Sequence, residues 1–467
     1  MTGPPTDERV LSTLNADGSR RWLRPKVATG PFWRRRRVVA YGLMLVFFII
    51  PYLEMKGKPV VLLDIPKREF TLLGTTFLST DTLLFMLLLL SALIGIFLVT
   101  ALLGRVWCGW ACPQTVYLEF LFRPLERWLE GGRSGTVALD KAAMPRPRRL
   151  LKWTVYLGLS LFLAHTFLAY FVGIDRLVEW VQLSPVEHPT AFLTMAITTA
   201  AIMFDFTYFR EQTCLVACPY GRLQSVLLDR QSLIVGYDVQ RGEPRARGTQ
   251  ERAADAGDCI DCGACVLTCP TGIDIRDGLQ MECVHCTQCA DACDEIMDRV
   301  SKPRGLIRYT TGDRLEGKPP KVLRPRVVLY PAALVAALGL FVYFLEARQD
   351  TDVTLLRGIG APYTVDADDR VVNQIRVRVT NRGAVGRAYR IELVGAGGAR
   401  IVAPENPLRV AATELRTTSL FVVAPRSLFQ RGERAVELRL SDGAAFAGTY
   451  PYVLVGPLTN SARDRSR

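Results

Sequence analysis

Five long apolar runs constrain the fold of this chain more than any other feature of its sequence. They lie at Val38 to Leu53, Thr82 to Leu103, Trp153 to Gly173, Thr190 to Phe209 and Val327 to Leu345. A helix needs about 20 apolar residues to cross the hydrocarbon core of a bilayer, and these runs reach or approach that length. A buried core helix could explain one run, best the first, which is short and contains Pro51. Together the runs predict a membrane α-helical protein with five transmembrane helices.

The distribution of Lys and Arg predicts the orientation, because short loops rich in these residues stay in the cytoplasm. The segments before and between the five runs carry 9, 4, 9, 1 and 17 of them. This alternation predicts a cytoplasmic N-terminus and, with an odd number of spans, a periplasmic C-terminal domain. The 18 Lys and Arg of the tail do not change this, since long domains translocate largely regardless of charge.

A polar stretch precedes the first run, which therefore resembles a retained anchor more than a cleaved signal peptide. We expect a multi-pass protein of the bacterial inner membrane. The net charge of +13 is spread over both predicted faces of that membrane, so we expect contact with membrane lipid and no nucleic-acid partner. A homo-oligomer is compatible with the sequence.

The twelve cysteines indicate metal or redox chemistry. All of them lie between Cys108 and Cys293, in segments predicted to be at or inside the cytoplasmic face. Cytosolic thiols are kept reduced, so recurring Cys spacings there indicate thiolate ligands and not disulfides.

Eight of these cysteines form a duplicated C-x2-C-x2-C-x3-C run, typical of bacterial two-cluster ferredoxins. The second run repeats the first at a constant offset of 24 residues. In such runs the fourth Cys binds the other cluster. We therefore predict two [4Fe-4S] clusters. The ligands of the first cluster are Cys259, Cys262, Cys265 and Cys293, and those of the second cluster are Cys283, Cys286, Cys289 and Cys269.

Two structural zinc sites are the alternative, but the dense Cys spacing disfavours them. Pro270 follows the first run as the ferredoxin pattern requires, whereas Asp294 follows the second. This departure removes no ligand. His285 lies between two ligands, and we expect it to be exposed or to support the cluster without binding iron.

A second motif, C-x3-C-P, also occurs twice, at Cys108 and Cys112 and at Cys214 and Cys218. Each copy directly follows an even-numbered span, which predicts two related helical hairpins. If the helix continued through each motif, the two thiols would share one face and the proline would help to end the helix. Such thiols could bind Cu(I) or be oxidised reversibly, and all four could converge. Buried apolar cysteines are the alternative reading.

Other polar residues in the spans give weaker signals. Asp205 lies near the cytoplasmic end of the fourth span, where it is either functional or hydrated. His165 is the one histidine within a predicted span, and the sequence contains no C-x-x-C-H motif. Haem is therefore not expected.

The tail from about Asp350 onward alternates apolar and polar residues, as at Ile375 to Val379 and Val436 to Leu440. Period two predicts half-buried strands, with turns at residues 381–383 and 395–398, and the length suits a β-sandwich. The predicted domains are a cytoplasmic N-terminal segment (1–37), a membrane core (38–210), a cytoplasmic ferredoxin-like domain (211–326), a last transmembrane helix (327–346) and the periplasmic sandwich (347–467).

In order, these parts resemble one family over nearly the whole chain: the cytochrome c oxidase accessory proteins called CcoG, FixG or RdxA. The insert alone would match many ferredoxins, so the order of the parts makes the resemblance specific. It implies an immunoglobulin-like tail and a role in assembling cbb(3)-type cytochrome c oxidase, by reducing Cu(II) to Cu(I). It further implies that the copper-facing, catalytic residues are Cys108, Cys112, Cys214 and Cys218.

The chain would then be a cupric reductase whose partners are oxidase-assembly or copper-delivery proteins and a cytoplasmic electron donor. Clusters that give one electron at a time and thiolates that favour Cu(I) are compatible with this role. Two alternatives stay open. One is a quinol-linked electron conduit like the similar membrane polyferredoxins, and the other is a non-enzymatic assembly scaffold with structural clusters.

Overall fold

A computed structural model describes residues 11–458 except 16, 56, 67, 79–80, 133–135, 137–146, 247–255, 320–322, 384, 413, 430–431 and 445. These residues form two compact units, which divide between Val342 and Tyr343. The first unit contains the apolar helices and all twelve cysteines. The second is a β-structure.

The helices of the described residues are α1 (Pro31–Ile49), α2 (Thr82–Leu103), α3 (Val106–Trp110), α4 (Pro113–Tyr117), α5 (Arg123–Glu130), α6 (Pro147–Val172), α7 (Ile174–Gln182), α8 (Pro189–Phe204), α9 (Pro219–Leu227), α10 (Val239–Gly242), α11 (Ala264–Thr268), α12 (Gln288–Arg299), α13 (Gly312–Leu315) and α14 (Pro325–Glu346). Segments of π-helix are Leu118–Phe122, Asp205–Phe209 and Thr213–Ala217, and 3-10 turns are Ile50–Tyr52, Ile275–Asp277 and Arg426–Leu428.

The strands of the first unit are β1 (Glu54–Met55), β2 (Lys58–Pro59), β3 (Val61–Asp64), β4 (Glu69–Leu72), β5 (Thr75–Leu78), β6 (Ile234–Tyr237) and β7 (Ile307–Thr310). Those of the second unit are β8 (Thr351–Arg357), β9 (Thr364–Val365), β10 (Arg370–Asn381), β11 (Arg387–Val394), β12 (Arg400–Val402), β13 (Leu408–Val410), β14 (Leu415–Pro425), β15 (Glu433–Ser441) and β16 (Ala447–Val455).

Four helices are long and apolar enough to cross a membrane: Thr82–Leu103, Pro147–Val172, Pro189–Phe209 and Pro325–Glu346. They contain four of the five predicted spans and support a membrane protein. Most of their surface is exposed, with only 6% to 33% of each span's most apolar stretch buried, as lipid-facing helices require.

The first predicted span, Val38 to Leu53, differs from the other four. It lies in α1 and the 3-10 turn at Ile50–Tyr52, and α1 begins with charged residues that include Arg34 to Arg37. The apolar part of α1 is therefore only about 12 residues long, which is roughly 18 Å at 1.5 Å per residue. That is shorter than the hydrocarbon core. A membrane span at Val38 to Leu53 and the predicted orientation of the chain therefore stay predictions.

The cluster-binding segment packs on α1. Strands β6 and β7 pair antiparallel, and α11 and α12 carry cysteines of the two runs. Asp291 of α12 accepts the N–H groups of Phe32 (3.1 Å) and Trp33 (2.7 Å), which are free at the start of α1. A Cβ atom at Gly30 would lie 2.3 Å from the Asp291 carboxyl group. A glycine before α1 thus lets the ferredoxin-like segment cap this helix from outside.

The second unit is the predicted β-sandwich. One sheet has the order β12-β14-β10-β8, with β9 beside β10, and the other has the order β13-β11-β15-β16. The period-two pattern is confirmed, because Ile375, Val377 and Val379 of β10 are completely buried between polar neighbours. The predicted turns also occur, and Asn381 stabilises the first by accepting the Gly383 N–H at 3.0 Å.

Candidate functional site

The two C-x3-C-P motifs have nearly the same backbone conformation, which supports the predicted duplication. Each span ends at a residue with positive φ four positions before the first Cys: Gly104 (φ 59°, ψ −130°) and Arg210 (φ 51°, ψ −119°). Glycine suits position 104 of the first copy for a second reason, which is the lack of room for a side chain. A Cβ atom there would lie 2.1 Å from the Leu233 carbonyl oxygen.

The sequence left open whether one helix runs through each motif, and the structure shows that none does. Cys108 lies in α3 and Cys214 in a π-helical turn, but Cys112 and Cys218 are extended, with ψ of 127° and 105°. Each proline is the first residue of the next helix, α4 or α9. A residue before proline is disfavoured in the helical conformation, whereas proline suits the first helical position.

The fold nevertheless brings the four thiols together. Cys108, Cys112 and Cys214 each lie within electrostatic range of other members of the set, and Cys218 interacts with all three. We call this set of four cysteines the four-thiol site. Asp205 joins its two halves, because it accepts hydrogen bonds from Gln114 of the first motif (3.2 Å) and Thr213 of the second.

Burial keeps the thiols of Cys108, Cys112 and Cys214 protonated in the absence of metal. It raises the pKa of Cys214 to about 12 and also raises the pKa values of Cys108 and Cys112. The Arg105 guanidinium opposes this shift at Cys108. The Cys108 thiol donates to Oε1 of buried Gln224 at 3.0 Å. A soft metal ion bound here would displace thiol protons.

The eight ferredoxin cysteines fall into the two groups predicted from their spacing. The thiol of Cys293 interacts electrostatically with Cys259, Cys262 and Cys265. Across the repeat, Cys269 lies near the remaining three, Cys283, Cys286 and Cys289. The four cysteines of the second group line one apolar cavity, together with Pro270, Ile273 and Cys265 of the first group.

This arrangement fits cubane clusters better than zinc ions. Among the described residues, which include all twelve cysteines, no three His, Cys, Asp or Glu side chains converge as ligands of one ion would, so at the four-thiol site too an ion would be held by fewer than three of the thiols as they stand. A tetrahedral zinc ion needs four donors around one point, whereas each iron of a cluster takes its own thiolate. The cysteines would hold two such clusters, with Cys262 exposed to solvent and Cys283 and Cys286 buried.

The four-thiol site lies directly against residues 283–287, which carry Cys283 and Cys286 and which we call the second cluster's loop. Cys108 and Cys286 pack in one buried apolar group with Val284, and Cys214 contacts this group. A Cβ atom at Gly109 would lie 2.9 Å from both N and Cα of Cys286. Backbone atoms of the first motif therefore touch a ligand-bearing segment of the second cluster.

His285 is neither exposed nor placed as an iron ligand. It is 1% exposed, and its Nδ1 accepts the Arg105 N–H at 3.1 Å. Burial, aided by the Arg105 charge, lowers the pKa of His285 to about 3. The neutral ring therefore carries its proton on Nε2, and Tyr309 donates to the His285 carbonyl oxygen at 2.8 Å.

Sequence reasoning missed several residues of this centre, among them Arg36, Arg105 and Gln224. Their signal is weak: Arg105 stands three residues before Cys108, and Arg36 belongs to an arginine run that we interpreted as a topology signal. His165 lies elsewhere, in a cavity of about 260 Å³ that Trp180 and His188 also line.

Comparison with known proteins supports 4Fe-4S clusters and the fold of the tail. The model of a 4Fe-4S dicluster domain matches residues 209–312, which contain all eight ferredoxin cysteines, and that of a 4Fe-4S binding domain matches residues 85–131, which contain Cys108 and Cys112 instead. A model of the immunoglobulin-like fold at the C-terminus of FixG matches residues 341–457. The β-sandwich is therefore immunoglobulin-like.

Three relatives match most of the chain. RdxA of Cereibacter sphaeroides is 34% identical over 86% of this chain and 89% of its own length. RdxB of the same species is 34% identical over 94% of this chain and 95% of its own length. The nitrogen fixation protein FixG of Rhizobium meliloti is 31% identical over 91% of this chain and 90% of its own length. This chain is an iron–sulfur electron-transfer protein that belongs to the FixG/RdxA family.

Proposed function

We propose that this protein reduces Cu(II) to Cu(I) at the four-thiol site, for copper delivery during assembly of cbb(3)-type cytochrome c oxidase. The observation that supports this proposal is the packing of Cys108 and Cys214 against Cys286 of the second cluster's loop. Electrons need no further carrier to pass from that cluster to an ion on the thiols.

The donor set suits copper chemically. Thiolates favour Cu(I) among the first-row ions, and a pair of them is enough to hold it. The reduced clusters supply one electron each, so that each Cu(II) that becomes Cu(I) returns one cluster to its oxidised state. Burial raises the pKa values of Cys108, Cys112 and Cys214 and so disfavours their thiolates, and these thiols lose their protons only when a cation binds.

The test uses the full-length protein, purified in detergent without oxygen and reduced with dithionite that is then removed. Cu(II) is added together with a chromogenic Cu(I) chelator. We expect about two Cu(I) per chain, one for each cluster, as the reduced-cluster signal in electron paramagnetic resonance disappears. The oxidised protein has the same thiols and measures the background reduction by thiols alone.

A double variant, Cys108→Ser with Cys214→Ser, removes one thiol from each motif and should slow Cu(I) production at least tenfold while the iron content stays at about eight atoms per chain. Val216→Ala is the matched control, because Val216 lies in the second motif but is 42% exposed. Equal rates in the double variant and the wild type would contradict the proposal. So would about twelve iron atoms per chain, since the four thiols would then hold a third cluster.

A quinol-linked conduit is the second candidate, because the cavity beside His165 and His188 has the aromatic and imidazole lining that suits a quinol ring. The Tyr156 hydroxyl of α6 donates to the Phe122 carbonyl oxygen near the two motifs. His165 lies about nine residues further along the same helix, so roughly 14 Å of α6 separates the cavity beside His165 from the level of the motifs. Cluster reduction by a short-chain quinol, lost in His165→Leu, would favour this candidate; no reduction would exclude it.

A further inference from the structure

One member of the arginine run in α1 is not a surface residue. Arg34, Arg35 and Arg37 are exposed, whereas Arg36 is 1% exposed. It shares the buried face of α1 with Ala40 and Met44, at the i, i+4 and i+8 positions of a helix. The arginine run, which we interpreted from the sequence as a signal for membrane topology, therefore includes one cation that is buried inside the protein.

The Arg36 guanidinium is only partly satisfied by its surroundings. Its Nε donates to the Gly109 carbonyl oxygen at 2.9 Å, and its centre lies 5.3 Å from the centroid of the Phe120 ring. Both terminal nitrogens are buried and have no hydrogen-bond partner among the described residues. The Asp291 carboxylate is within electrostatic range but accepts backbone N–H groups of α1.

An arginine buried in this way destabilises the folded protein unless an anion compensates its charge. The group that faces it is the second cluster's loop: Arg36 binds Gly109, and Gly109 touches the backbone of Cys286. The Cys286 thiol is within electrostatic range of the Arg36 guanidinium. A four-iron cluster on four thiolates is anionic and becomes more so on reduction.

The arginine near the first cluster is compensated differently. Arg276 lies near Cys265 but forms ion pairs with Asp274 and Asp261, both at 2.6 Å. Its charge is therefore largely neutralised before it acts on a cluster. The two cluster sites of this chain thus differ in the net charge that surrounds them.

We propose that Arg36 is a positioning residue of the second cluster, whose uncompensated charge stabilises the reduced form and makes this cluster the stronger electron acceptor of the two. The proposal rests on the ligand assignment of the proposed function and is independent of copper. It gives the electron path a direction, from the first cluster with exposed Cys262 to the second cluster beside the four-thiol site.

The test is a redox titration of full-length protein in detergent, monitored by electron paramagnetic resonance, on Arg36→Gln, Arg36→Lys and the exposed control Arg35→Gln. Cys289→Ser identifies the signal of the second cluster. Arg36→Gln should lower the ratio of reduced to oxidised second cluster about tenfold at a fixed potential, which is about 59 mV for one electron. The first cluster and the Arg35→Gln protein should be unchanged.

Arg36→Lys keeps the charge and should stay near the wild-type potential. An unchanged second cluster in Arg36→Gln with full iron content overturns the proposal, and so does an equal shift in Arg35→Gln. If Arg36→Gln loses iron, the Arg36→Lys protein provides the test. Wild-type iron content and a wild-type potential of the second cluster in Arg36→Lys support charge compensation. A tenfold shift in its ratio of reduced to oxidised second cluster, despite the retained charge, overturns the proposal. A wild-type chain without about eight iron atoms would instead refute the ligand assignment.

Discussion

Gly109→Ala tests whether close backbone contact couples the four-thiol site to the second cluster. A Cβ atom at Gly109 would lie 2.6 Å from the Val284 carbonyl oxygen, whereas ordinary contacts begin at 3.4 Å. The difference, 3.4 minus 2.6, means that α3 must move by roughly 0.8 Å away from backbone atoms that cannot rotate aside. Overpacking of this kind costs about 1 to 3 kcal/mol, and the helical preference of Ala over Gly returns about 1 kcal/mol.

We therefore expect a net loss of about 1 kcal/mol in stability, and a severalfold slower production of Cu(I) because the electron path is longer. The melting temperature in detergent and the copper assay measure the two effects. Gly158→Ala is the matched control, since Gly158 lies in α6 with nothing within 4 Å of the added methyl group. If Gly109→Ala were as stable and as fast as Gly158→Ala, the contact would have no role in coupling the sites.

Two further perturbations test how the first unit is held together. Burial by itself raises the pKa of Glu126, but the ion pair with Arg210 at 2.9 Å acts in the opposite direction, and the pKa falls to about 2. The Glu126 carboxylate therefore stabilises the fold by about 3 kcal/mol at pH values above its unfolded-state pKa of 4.5, and this contribution is lost as the pH falls towards 2. The melting temperature should therefore fall less steeply from pH 6 to 3 in Glu126→Gln than in the wild type. Parallel curves for the two proteins would contradict this. Asp291→Ala removes the cap of α1 and should lower the free energy of unfolding by about 1 to 2 kcal/mol, with faster proteolysis before Trp33. Asp298→Ala, at an exposed position of the same helix as Asp291, is the control. Equal proteolysis of the two variants would show that the cap does not hold this segment.

The parts of the fold that depend on local pattern could be predicted. Apolar length identified four helices that can span a membrane, and period two identified strands such as β10 and β15. Cysteine spacing grouped Cys293 with the first run and Cys269 with the second, because four ligands must surround each cluster whatever the rest of the fold. These inferences need only the geometry of a helix, a strand or a ligand set.

The sequence left open the conformation of two parts of this centre. A continuous helix through Cys108 to Cys112 was one possibility, but the helix breaks before Pro113, since a residue before proline is disfavoured in the helical conformation. His285 was expected to be exposed or supporting, and its burial follows from packing on Gly104 and Arg105, about 180 residues away. No local signal contains that contact.

The sequence by itself determined that this chain has apolar helices, a duplicated set of cluster ligands and two thiol motifs. Each of these depends on the spacing of residues within one segment. Only the tertiary structure decided that the four thiols lie within electrostatic range of one another, that Cys108 and Cys214 pack against Cys286 rather than the first cluster's ligands, and that Arg36 is buried near Cys286 while Arg35 is exposed. Burial and electrostatic compensation arise from segments brought together by packing, and residue spacing does not specify which segments those are.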